Sequence, residues 1–146
     1  MDTNVFIYAV EHHPTYGEAC EHIVRDIESG KLEALCSKLV LVEFVNVLTR
    51  LNRELNKRQE AFEVPKLTEA LLSLVRSWAD LDDMVVKRAS QYTANVNPPD
   101  YFHLATMEVH GLKDVLSADR ELNRIPWINR IDPKEYRGSR VGQRKS

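Results

Sequence analysis

The chain has 146 residues, 43% hydrophobic and 29% charged, with a formal net charge of −2. This size supports one compact core, and the composition excludes a disordered chain. The charge excludes a global field that would draw polyanions, so any nucleic-acid contact must come from local basic patches. No apolar run reaches the roughly 20 residues that span a bilayer. Cys20 and Cys36 stand alone, outside any metal-binding spacing, and read as buried, reduced thiols of a cytoplasmic protein.

Residues 3–11 are expected to form a short helix, broken at His13-Pro14-Thr15. Tyr16 to Ser29 follow as a second helix, because Ala19, Cys20, Ile23, Val24 and Ile27 recur at the spacing of a buried stripe. Gly30 ends it. Leu32 to Cys36 is a strand, after which Ser37 caps a long helix reaching about Asn56. That helix is apolar on most sides and is expected to be largely buried. Its polar residues Glu43, Asn46, Arg50 and Arg53 share one stripe.

Residues 56–66 form a charged connector ending at Pro65, followed by a helix from Leu67 to Trp78. Leu81 to Met84 are expected as a strand and 85–94 as a helix. Asn97-Pro98-Pro99 opens another helix, with Asp100 in its first turn, where the positive helix end favours a carboxylate. Asp114 to Ser117 and Trp127 to Ile131 are the last strands, with a short helix after Asp119. Residues 137–146 are a basic tail expected to be disordered, so the folded domain is residues 1–136. Strands alternating with helices imply an α/β fold with a mostly parallel sheet, whose ligands bind beyond the carboxyl ends of the strands.

Four acids carry the functional argument: Asp2 in M-D-T-N, Glu43 in L-V-E-F, Asp100 in P-P-D-Y-F-H-L-A and Asp119 in S-A-D-R-E. Singly, each has a plain structural reading: a polar terminus, an exposed helix edge, a helix start and a cap. The topology gathers them at one sheet edge, and converging carboxylates call for a divalent cation. His103 lies one turn beyond Asp100 and is expected to pack beside the site or bond to backbone, because hard cations prefer oxygen. Arg50, Arg53 and Arg120 are candidates for contacts to the phosphates of a polyanionic ligand; the competing reading is that they are solvated charges or pair with nearby Glu residues.

Together, D-T-N at 2–4, Glu43, P-D-Y-F-H-L-A around Asp100, S-A-D at 117–119 and I-D-P at 131–133 resemble the PIN domain. This is the nuclease fold used by VapC toxins of VapBC toxin–antitoxin pairs. The resemblance implies a three-layer α/β/α sandwich in which Asp2, Glu43, Asp100 and Asp119 hold magnesium or manganese, supported by Thr3, Asn4 and Ser117. It implies metal-dependent hydrolysis of RNA phosphodiesters, leaving a 5′-phosphate and a 3′-hydroxyl. It further implies a small antitoxin partner docking near 56–66 and the following helix, and a homodimer joined through the early helices. Two other functions fit the same residues: a non-catalytic PIN module binding RNA or protein, and a PIN nuclease of ribosomal RNA processing without an antitoxin. The first strand of the fold ends just before the first Asp, and here only Met1 precedes Asp2. That strand is expected to be truncated or missing, with upstream residues supplying it.

Overall fold

The structure, a computed structural model, describes residues 1–55 and 60–138. Helix α1 (Thr3–Val10) begins where Asp2 caps it, and buries Val5, Phe6 and Ile7. It packs on α2 (Gly17–Glu28). The approach is close: a Cβ at Gly17 would lie 2.8 Å from the backbone carbonyl carbon of His12, so this turn requires glycine. Strand β1 (Leu35–Ser37) then leads into α3 (Leu39–Glu54). Ser37 belongs to the strand, but its Oγ accepts the Leu39 N–H (3.1 Å) and so still serves the helix start.

Helix α3 differs from the expectation of broad burial. Only Val40, Phe44 and Leu48 are buried, a single stripe at four-residue spacing, and Val42 is 52% exposed. The helix packs mainly on α1 and α4, which leaves its outer face to solvent despite the apolar composition. Helix α4 (Val64–Leu74) starts with Pro65 in its first turn and ends before Trp78. Trp78 lies instead in β2 (Ser77–Ala79), and the strand expected over Leu81–Met84 is absent. Met84 sits, 64% exposed, on α5 (Asp83–Ala89). Asp82 caps α5 by accepting the Val85 N–H (3.0 Å), so Leu81–Met84 opens a helix, while Ser77–Ala79 takes the pairing with β1.

Helix α6 (Pro98–Val109) packs on α5, and β3 (Asp114–Leu116), a 3-10 turn (Arg120–Arg124) and β4 (Asn129–Ile131) complete the order. Core side chains from α1, α2, α3 and α4 form one cluster, and those around α6 and β3 form a second. A final 3-10 turn (Pro133–Glu135) brings Tyr136 back to α2, where its hydroxyl donates to Asp26 Oδ2 at 2.7 Å. Most of the expected tail, residues 139–146, lies outside the described residues, as do residues 56–59 of the connector. Among the described residues no helix is long and apolar enough to cross a membrane.

The expected sheet is present as two parallel pairs, β1 with β2 and β3 with β4. Lys38 N donates to Ala79 O and Ser117 N to Ile131 O. Successive strand residues turn their backbone groups to opposite sides. Leu35 and Leu116 therefore face away from those partners, toward each other's sheet. The amine of Met1 donates to Leu35 O (3.1 Å) and Asp2 N to Leu116 O (3.0 Å). Two residues thus bridge the sheets as the end of a central strand would. Beyond them a cleft of about 550 Å³ continues between Leu35 and Leu116.

An extension of about five apolar residues ahead of Met1, at roughly 3.3 Å each, should fill this cleft. It is expected to raise Tm by about 4 °C or more, as read by thermal denaturation. A Gly/Ser extension of equal length should not, and equal melting of the two would mean that the cleft does not accept a strand.

Candidate metal centre

A cleft of about 390 Å³ is lined by Asp2, Glu43, Asp100 and Asp119 together with Thr3, Asn4 and Arg50. The four acids reach it from four different places in the chain. Asp2 precedes α1, Glu43 sits in the second turn of α3, Asp100 in the first turn of α6, and Asp119 follows β3.

Asp2 is the most heavily bonded. Its Oδ1 accepts the Thr3 N–H (2.7 Å), and its Oδ2 accepts from Asn4 Nδ2 (3.2 Å) and Ser117 Oγ (2.5 Å). Asn4 also donates to Ser117 Oγ (3.2 Å), and its Oδ1 accepts the Ala118 N–H (3.3 Å). The fully buried Ser117 accepts the Asp119 N–H at 3.0 Å. One small network therefore locks the chain start onto the loop after β3. Arg130 backs this loop, donating to Ser117 O at 2.9 Å.

Glu43 is held through one oxygen. Thr3 Oγ1 donates to its Oε1 at 2.9 Å, and His103 Nε2 lies 2.6 Å from the same atom. Burial works against its ionisation, but the His103 bond and charge and the Thr3 bond outweigh it, holding the carboxyl below the usual range. His103 thus bonds to a side chain of the cleft, which neither backbone bonding nor mere packing described. Asp119 caps the 3-10 turn by accepting the Glu121 N–H at 2.9 Å.

Asp100 is the exception. Its Oδ2 is buried and has no hydrogen-bond partner. Burial, then the neighbouring Asp2 and Asp119 charges, push its carboxyl up to about 6, with Glu43 adding to the shift and His103 opposing it. Oxygens of Asp100, Asp119 and Glu121 all lie within 4.8 Å of one another. Asp2 and Glu43 line the same cleft but stand outside that trio. An orphaned carboxylate oxygen among oxygen donors fits a hard divalent cation such as magnesium or manganese.

Two residues in direct contact with this arrangement escaped the sequence reading of the acids, Glu121 and the Glu43 partner role of His103. Glu121 had a readable signal, since it stands two residues after Asp119 in S-A-D-R-E. Of the three candidate arginines, Arg50 lines the cleft; Arg53 and Arg120 are exposed and do not.

The raised Asp100 carboxyl sets a pH dependence with a definite sign. The folded state holds this proton more tightly than the unfolded chain, whose value is near 3.8. The resulting stability is complete below that value and is lost as pH rises through about 6. Without divalent cations, Asp100→Asn should therefore melt above the wild type at neutral pH and flatten the fall in Tm across this window. Parallel melting curves for the two proteins in chelator would show that Asp100 is not held protonated.

The PIN domain family model matches residues 1–128. No curated protein matches the chain. PIN domains are generally nucleases that use divalent metal ions, in keeping with the acidic cluster at this cleft. The match covers most of the chain, from α1 through the 3-10 turn after Asp119, and the chain belongs to the PIN domain family.

Proposed function

We propose that the protein is a magnesium- or manganese-dependent endoribonuclease of the VapC type, acting as the toxin of a toxin–antitoxin pair. The observation that carries the nuclease reading is Asp100, whose Oδ2 is buried and unpartnered and whose carboxylate lies within 4.8 Å of oxygens of Asp119 and Glu121. A native protein leaves such an atom unpaired at considerable cost unless a ligand satisfies it.

In this reading Asp100, Asp119 and Asp2 hold the cation, Glu43 completes the acidic rim, and Glu121 is an added donor. When bound, the cation supplies charge stabilisation to the phosphoryl oxygens and activates water for in-line attack on the phosphodiester. The chain's own residues do the positioning. Asn4 and Ser117 hold Asp2 in one orientation, Asp119 is fixed by the turn that it caps, and Asp100 offers a carboxylate with a buried oxygen that no protein donor occupies. Arg50, in the same cleft wall, takes a phosphate next to the cleaved bond. No side chain is needed as nucleophile.

Partner binding rests on a different surface. An apolar groove of about 520 Å³ runs between α1, α2 and α4, lined by Phe6, Val24, Leu67 and Leu71 and edged by Glu21, Arg25 and Glu28. Its α4 wall belongs to the helix after the connector at 56–66, the region proposed for antitoxin docking, of which 56–59 lie outside the described residues, and its other walls include the early helices proposed for the homodimer. A non-catalytic PIN module is the second reading. It is favoured by the cleft between β1 and β3, which leaves Asp2 tied to the sheets by few backbone bonds.

The deciding experiment compares manganese-dependent cleavage of a structured RNA by the wild type and by Asp100→Asn. The wild type should cleave and the variant should fall to background. Equal cleavage by both would place the activity elsewhere, and RNA binding without cleavage by either would favour the non-catalytic module. Arg50→Ala should weaken RNA binding and lower the slope of log affinity against log salt by about 0.7, while leaving the manganese-induced rise in Tm intact. An unchanged salt slope would remove Arg50 from the RNA contact.

A further inference from the structure

Helix α6 presents two functional side chains on one face, because Asp100 and His103 are three residues apart. Asp100 turns to Asp119 and Glu121, whereas His103 turns to Glu43. The His103 side chain is only 15% exposed, and its Nε2 lies 2.6 Å from Glu43 Oε1. An ionised carboxylate only accepts, so the facing nitrogen carries the hydrogen. Thr3 Oγ1 donates to the same oxygen at 2.9 Å. Two donors therefore converge on Oε1, and Oε2 accepts no hydrogen bond among the described residues.

We propose that His103 is a positioning residue for the metal centre: with Thr3 it clamps Glu43 by Oε1, so that Oε2 alone is offered to the cleft in one fixed orientation. The inference rests on the metal-dependent reading above. A glutamate on an outward-facing part of a helix has three rotatable side-chain bonds, and ordering it has an entropic cost that only specific partners offset. Here the partners come from α1 and α6, so the clamp joins three helices at the cleft. An outer partner that orients a ligand oxygen tunes cation binding without touching the cation. In this role His103 acts on Glu43 and not as a ligand of the cation.

The test is a cycle of variants at His103 and Glu43. His103→Leu keeps bulk but removes the donor; His103→Gln keeps a donor of similar reach. Manganese affinity, measured by calorimetry on the metal-free protein, should fall about 10- to 100-fold in His103→Leu and largely recover in His103→Gln. In a Glu43→Gln background, His103→Leu should cause no further loss. RNA cleavage by His103→Leu should show reduced kcat with KM for RNA unchanged. Equal losses in both backgrounds would mean a structural role and overturn the proposal, as would wild-type affinity in His103→Leu. If His103→Leu fails to fold, His103→Asn, whose amide falls short of Oε1, takes its place with the same expected loss. A wild type that binds manganese but cleaves no RNA would end the nuclease reading, while the affinity cycle would still decide the clamp. A wild type that binds no manganese overturns both.

Discussion

Mutual repulsion among carboxylates is the constraint around which this molecule is arranged. Asp2, Glu43, Asp100 and Asp119 share one cleft, and like charges in a partly buried space destabilise one another. The protein compensates them unequally. Asp2 receives three donors and Glu43 two, while Asp119 receives a backbone N–H from the turn that it starts. Asp100 has a buried oxygen with none, and its carboxyl rises to about 6 as a result. The unpaired member lies against Asp119 and Glu121, where a cation would relieve the repulsion. The fold thus stores its electrostatic cost at the place where a ligand can remove it.

The scaffold explains how residues 117 positions apart in sequence come to share that cleft. Parallel strands β1 and β3 both point their carboxyl ends toward it, and the helix or turn after each supplies an acid. Met1 and Asp2 bind one strand on each side, so the first acid depends on backbone bonds to two separate sheets. Ser117 is the junction: fully buried, it donates to Asp2 and accepts from Asp119 N. Removing its hydroxyl would loosen two acids at once, which makes this small side chain more consequential than its size suggests.

Much of this was legible in the sequence, and for physical reasons. The early helices showed a clear buried periodicity, and Asn97-Pro98-Pro99 marked the start of α6 within one residue. Asp2, Asp100 and Asp119 were readable because each sits at a helix or turn start, where local patterning is strong, and Glu43 because it is the one acid in the apolar first half of α3. The second strand was not. Ser77-Trp78-Ala79 carries no strand signature by itself, and only its register with Leu35–Ser37 makes it one. The burial of α3 was overestimated because composition reports how apolar a face is, not whether a neighbour covers it. The His103–Glu43 bond was likewise beyond reach, since it joins residues 60 apart on two helices whose relative placement is a tertiary fact.

Anomalous diffraction from crystals grown with manganese tests the central claim most directly. A single class of strong peak is expected in the acidic cleft, in contact with the carboxylate of Asp100. No peak in that cleft at saturating manganese, or a peak bound only by residues outside it, would contradict the account.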